Sequence, residues 1–203
     1  MNLRLQPHPD SLPTPVREFV VDVRRTPGGR LRLAYSLCTD SGRPLVPAPA
    51  SSDRREQLWR HTCFEAFIAL GTAPRYAELN FSPSTEWAMY GFEQYRAPLQ
   101  TLTDLQMPLV TVSSADQQGP GAVAESSLQL VAELDLAGIA RWLGAQPAPA
   151  TASSLCLALC AVVEDRAGRL SYWSLRHGGA KPDFHAREGF VCKLDIDAVN
   201  GND

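Results

Sequence analysis

The chain has 203 residues, 44% of them apolar and 20% charged, with a formal net charge of −3. This length and balance predict one globular domain over residues 1–203, its last few residues a short tail, and exclude collagen, coiled coil, a disordered chain and a membrane protein. The small acidic excess leaves no basic footprint, so no nucleic-acid partner is expected.

The first 16 residues hold no apolar core of an export signal, and the longest apolar runs, 63–70 and 155–163, are far short of the ~18 residues that span a bilayer. No membrane partner is expected, and the expected location is cytoplasmic. The five cysteines are odd in number and scattered among apolar neighbours, which is not a disulfide framework.

In chain order, the dominant period is two. Phe19 to Val23 is rich in β-branched residues, and Leu31, Leu33, Tyr35 and Leu37 alternate with polar neighbours. Thr26-Pro27-Gly28-Gly29 between them predicts a hairpin. Residues 43–52 hold Pro44, Pro47 and Pro49 and read as a loop. Residues 62–70 are apolar on both faces except at Glu65, which predicts a central strand. Residues 76–82 alternate, with Ala77, Leu79 and Phe81 on one face and Tyr76, Glu78, Asn80 and Ser82 on the other. Pro83-Ser84 breaks that run, and 86–92 predicts its antiparallel neighbour. A Thr/Pro-rich connection leads to a strand at 109–112, and 117–121 reads as a loop. Leu128, Leu130, Ala132 and Leu134 alternate, after which Asp135 can cap a short helix through Leu143. Residues 145–153 read as a loop, and 155–163, 170–175 and 190–194 as strands. About nine short strands and one short helix predict an all-β sandwich.

Nucleophile-elbow, phosphate-loop, dinucleotide and zinc-protease motifs are missing, so no catalytic residue is assigned and a non-enzymatic role is favoured. Polar and aromatic side chains concentrate in 58–96 and 172–185. A pyranose stacks its weakly polar face on an aromatic ring, while its hydroxyls need directional partners. Trp59, Trp87 and Trp173 are candidate stacking rings, Glu78, Asn80 and Asp183 candidate acceptors, and Arg96 a candidate donor. Tyr90, His177 and His185 complete the candidate ligand site. Other readings stay open. The tryptophans can be core residues, and Asp183 with His185 can tie down the Gly178-Gly179 loop. His177, Asp183 and His185 have the composition of a two-histidine, one-carboxylate metal site. Met89 or Met107 with a histidine could hold haem, and Glu65 with Glu78 could be a glycosidase pair.

The same two segments resemble bacterial DOMON-like proteins, of the superfamily that joins DOMON domains with family-nine carbohydrate-binding modules. The resemblance rests on Leu58-Trp59, Thr62-Cys63-Phe64-Glu65, Phe67, Tyr76, Glu78, Asn80-Phe81-Ser82-Pro83-Ser84, Trp87-Ala88, Tyr90, Phe92 and Tyr95-Arg96. It continues through Tyr172-Trp173, His177 and Lys181-Pro182-Asp183-Phe184-His185. It implies an immunoglobulin-like or jelly-roll β-sandwich of about nine to eleven strands. It also implies a small-molecule partner, a sugar-like ligand or alternatively haem as a cofactor.

Overall fold

The computed structural model describes residues 1–12, 14–40, 44, 46–117, 125–145 and 154–195. Two short strands open the chain, β1 (Asn2–Arg4) and β2 (Gln6–Pro7), followed by the hairpin of β3 (Val16–Arg25) and β4 (Leu31–Asp40). A 3-10 turn (Leu58–Arg60) precedes β5 (Cys63–Leu70), β6 (Tyr76–Phe81), β7 (Trp87–Gln94) and β8 (Ala97–Thr101). Then come β9 (Leu109–Gln117), β10 (Glu125–Leu134) and helix α1 (Leu136–Trp142). β11 (Ser154–Glu164), β12 (Leu170–Ser174), a second 3-10 turn (Arg187–Gly189) and β13 (Cys192–Asp195) complete the described chain.

These strands form two sheets, as expected for an all-β sandwich. One is five-stranded in the order β1-β3-β4-β10-β9. The other is eight-stranded, β2-β12-β11-β5-β6-β7-β8, with β13 also paired to β11. Alternation fills the space between them. Phe19, Val21 and Val23 of β3, Leu31, Leu33, Tyr35 and Leu37 of β4, and Leu128, Leu130, Ala132 and Leu134 of β10 are buried on the inner face of the smaller sheet. Phe64, Ala66 and Ile68 of β5, Ala77, Leu79 and Phe81 of β6, and Leu155, Leu157 and Leu159 of β11 meet them from the larger one.

Trp87 and Trp173 belong to this inter-sheet core, each 6% exposed. That corrects their assignment as stacking rings: their parity on β7 and β12 sends them inward. Their indole N–H groups are satisfied locally, Trp87 by the Ser52 carbonyl at 3.3 Å and Trp173 by Ser171 Oγ at 3.0 Å. Phe19 lies against Trp173 with ring centroids 5.9 Å apart.

Asp135 caps α1 as expected, its Oδ1 accepting from Gly138 N at 2.9 Å. The helix closes one end of the core. Trp142 lies so close to Gly91 that a Cβ there would be 2.5 Å from the indole ring. The NFSPS run ends β6 and, from Ser82 on, forms a hydrogen-bonded turn to β7. Ser84 N donates to Ser82 Oγ at 3.1 Å, Ser84 Oγ donates to Glu86 Oε2 at 2.7 Å and lies 2.8 Å from Ser82 Oγ, and Ser82 N reaches the Glu86 carbonyl at 2.9 Å.

The structure differs from expectation in its edges. β8 lies within the segment expected to be a connection; all five of its residues are exposed, so an edge strand here carries no hydrophobic alternation. β1 and β2 are too short to show a period. The expected strand 190–194 starts at Cys192, because Phe190 ends the second 3-10 turn. The loops expected at 117–121 and 145–153 fall almost wholly outside the described residues. All five cysteines are free thiols.

Because Trp173 is packed in the core, Trp173→Ala should cost about 3–5 kcal/mol of stability. Urea unfolding followed by circular dichroism checks this; a loss under about 1 kcal/mol would place the ring outside the core.

Candidate functional site

The outer face of the eight-stranded sheet is also buried. β5 turns Cys63, Glu65, Phe67 and Ala69 away from the inter-sheet core, β6 turns Tyr76, Glu78 and Asn80, and β7 turns Ala88, Tyr90 and Phe92. Register sets them in rows: Glu65 opposes Asn80, and Phe67, Glu78 and Tyr90 lie side by side. The first 3-10 turn and residues 182–190 cover this face. Between cover and sheet lies a cavity of about 530 Å³. Glu65, Phe67 and Glu78 line it from the sheet, with Tyr90, Phe92, Tyr172 and Phe184 as aromatic walls and Trp59, Arg60, Arg96 and Leu99 nearer solvent.

The cover is pinned by Asp183. Its carboxylate accepts from Tyr95 Oη and Arg96 Nη2, both at 2.7 Å, and from the backbone N–H of His185, two residues on, at 3.1 Å. Arg96, at the β7–β8 turn, adopts a left-handed backbone with φ 56°. Its N–H donates to Tyr76 Oη at 3.0 Å, and Tyr76 Oη lies 2.7 Å from His185 Nδ1. With its oxygen already accepting from Arg96, Tyr76 can donate its own proton to Nδ1, which leaves the imidazole proton on Nε2. That nitrogen is 3.6 Å from Glu78 Oε2. Phe67 and Phe92 pack against the His185 ring, with centroids 5.0 and 5.2 Å away.

Of the ten candidate residues, Trp59, Glu78, Tyr90, Arg96 and His185 line one cavity. Asn80 does not line it but lies fully buried beside Glu78, donating Nδ2 to Glu78 Oε1 at 2.8 Å. Asp183 holds the cover in place. Trp87 and Trp173 face the opposite side of the sheet. His177 is elsewhere too: its Nε2 donates to the Gln6 carbonyl at 2.9 Å and its ring packs on His8. Asp183 and His185 thus share one cluster in the cover, and His177 lies apart from it. Among the described residues, no group of three or more His, Cys, Asp or Glu side chains is placed to hold a metal ion. Nor do the residues fit haem with a Met–His pair. Met89 is buried between the sheets, Met107 is exposed, and neither lines the cavity with His185.

Other lining residues lay outside the candidate site drawn from sequence: Glu65, Phe67, Phe92, Tyr172 and Phe184. Glu65 was legible as the lone charge in an apolar strand. Tyr172 precedes Trp173 on β12, so its opposite parity could have been read from the same alternation; Phe184 lies in a turn outside any strand, where alternation carries no signal.

No family model and no curated protein matches the chain. Among solved structures, a Bacteroides uniformis protein designated carbohydrate-binding is similar in fold, with a TM-score of 0.59 and 16% identity, covering 95% of this chain and 86% of that one. A family 9 carbohydrate-binding module from Caldicellulosiruptor kristjanssonii, solved with cellotriose, gives a TM-score of 0.37 at 9% identity over 91% of this chain and 77% of that one, too low to bear on the fold.

Burial governs the charges. Desolvation, then the proximity of Glu78, pushes the Glu65 carboxyl well above the usual carboxylate range. Desolvation also pushes Glu78 up to about 7, against the pull of Asn80 and Arg96. Desolvation, with Arg96, lowers His185 to about 4. His185 is thus neutral wherever Glu78 is ionised, and their contact is not an ion pair. The signs for stability follow by linkage. Folding holds the Glu78 proton between pH 4.5 and about 7, so stability falls with rising pH across that window. Folding expels the His185 proton between about 4 and 6.5, so stability rises there. His177, which burial also lowers, adds to the His185 effect; both oppose Glu78 below about 6.5, and the Glu78 effect continues as pH rises through about 7. The melting temperature should therefore decline between pH 6.5 and 8, and Glu78→Gln should flatten the decline. A wild-type melting temperature that rises over this interval would contradict the assignment.

Proposed function

We propose that this chain is a non-catalytic carbohydrate-binding module of the DOMON-like kind, with its ligand site in the cavity on the outer face of the eight-stranded sheet. The observation that carries this reading is a cavity that joins aromatic walls to buried directional groups. Tyr90, Tyr172 and Phe184 offer ring surface, and Trp59 stands at the mouth with 37% of its area exposed. Glu65 and Glu78 lie within as hydrogen-bond partners for hydroxyls. A pyranose presents the matching pattern of apolar faces and equatorial hydroxyls. The fold likeness to a protein designated carbohydrate-binding agrees with this reading. A reducing, cytoplasmic setting is part of this reading, from the odd number and scattered placement of the cysteines in the sequence.

The roles follow from the geometry. Trp59 stacks on the sugar ring. Glu65 and Glu78, protonated or ionised according to pH, exchange hydrogen bonds with its hydroxyls. Asn80 orients Glu78 from beneath. Arg96 holds the cover through Asp183 and shapes one side of the mouth. The Tyr90 hydroxyl is already donated to Glu56, so this residue contributes its ring.

One stack and a few buried hydrogen bonds predict micromolar affinity, roughly −8 kcal/mol. Calorimetric titration with a panel of mono- and oligosaccharides tests this. Trp59→Ala should abolish detectable binding of the sugar that binds wild type, while the melting temperature stays within a few degrees because the ring is partly exposed. Undiminished binding by a folded Trp59→Ala protein would remove the stacking role.

A further inference from the structure

We infer that the sugar taken by this cavity carries a protonated amine, seated against Glu65 and Glu78. The inference rests on the carbohydrate reading above and narrows it to amino sugars.

The reason is a mismatch inside the cavity. Glu65 is 2% exposed and lines the cavity, yet its Oε1 has no hydrogen-bond partner among the described residues. A buried acceptor left without a partner is costly, and a ligand that donates there removes the cost. Glu78 adds a second acidic group one step along the adjacent strand. Its Oε1 is taken by Asn80, and its Oε2 faces His185 Nε2 at 3.6 Å. Among the described residues, no arginine or lysine lies within ion-pair distance of either carboxyl. Arg96 is the nearest in role, and its charge is already matched by Asp183 at 2.7 Å. Arg60 lies in the exposed first 3-10 turn, where water screens it.

The surroundings favour an ammonium group over a metal ion. Tyr90, Tyr172 and Phe184 line the same cavity. Ring faces attract cations, and an aromatic wall around an acidic group is the environment in which organic ammonium ions are held. One ionised carboxyl balances one ammonium charge, while the second carboxyl, still protonated, can donate to a neighbouring hydroxyl of the same sugar. A neutral sugar fills the same volume but leaves a carboxyl that ionises there without a counter-charge.

The test is calorimetric titration of the wild-type chain at pH 7 in phosphate, which brings no competing amine. The three probes are the β-1,4-linked glucosamine disaccharide, its N-acetylated form and cellobiose. The glucosamine disaccharide should bind at least about tenfold more tightly than either neutral sugar. Glu78→Gln, which keeps the shape and removes the charge, should bring the three within about threefold. Cellobiose binding as tightly as the amine overturns the inference and leaves the carbohydrate reading standing. No binding by any sugar removes both. An amine preference that survives in a folded Glu78→Gln protein places the ammonium elsewhere and also overturns it. The wild-type comparison decides by itself if that variant does not fold.

Discussion

One clasp turns an open sheet face into a site. Asp183 accepts from Tyr95 and Arg96, residues of the turn after β7, and so fastens residues 182–185 over the outer face of β5, β6 and β7. Together with the first 3-10 turn and Phe190, the fastened segment covers Glu65, Glu78 and Asn80. With it they are buried, the carboxyls are driven toward their protonated forms, and His185 is driven toward its neutral one. The clasp is itself partly exposed, so its own strength is modest. Its effect comes from what it covers: the rings of Phe184 and His185 arrive with it and complete the aromatic lining.

The two faces of the larger sheet therefore do different work. The inner face is a dry, apolar layer whose bulky members, Trp87 and Trp173 included, set the spacing of the sandwich. The outer face is a mixed aromatic and acidic layer under a thin cover. β5 serves both. Phe64, Ala66 and Ile68 face the core while Glu65 and Phe67 face the cavity. A strand buried on both sides is rigid, and it places Glu65 and Glu78 by register rather than by loop conformation.

Much of this was legible in the sequence, for physical reasons that can be named. Strict alternation in β4, β6 and β10 reflects one face packed on the core, and so gave the sandwich. The lone Glu65 in an apolar strand marked a central position. What alternation could not show is which side of a strand is the covered site and which is the core. Tyr76, Glu78 and Asn80 read as a polar outer face, and their burial depends on residues 182–190, more than a hundred positions away. Trp87 and Trp173 misled because a large aromatic ring suits a sugar and a core equally well; only their parity, opposite to that of Tyr90 and Tyr172, separates the two. His177 lies close to His185 in sequence, but β2 draws it to another edge of the sheet. The edge strands β1, β2 and β8 carry no apolar period and gave no signal.

The most direct measurement of the central claim is amide chemical-shift mapping of the isotopically labelled chain during titration with glucose- and glucosamine-based oligosaccharides. The account predicts that the perturbed amides cluster on β5, β6 and β7, on the first 3-10 turn around Trp59, and on residues 182–185. Perturbations confined to the five-stranded sheet, or spread evenly over the surface, would contradict it.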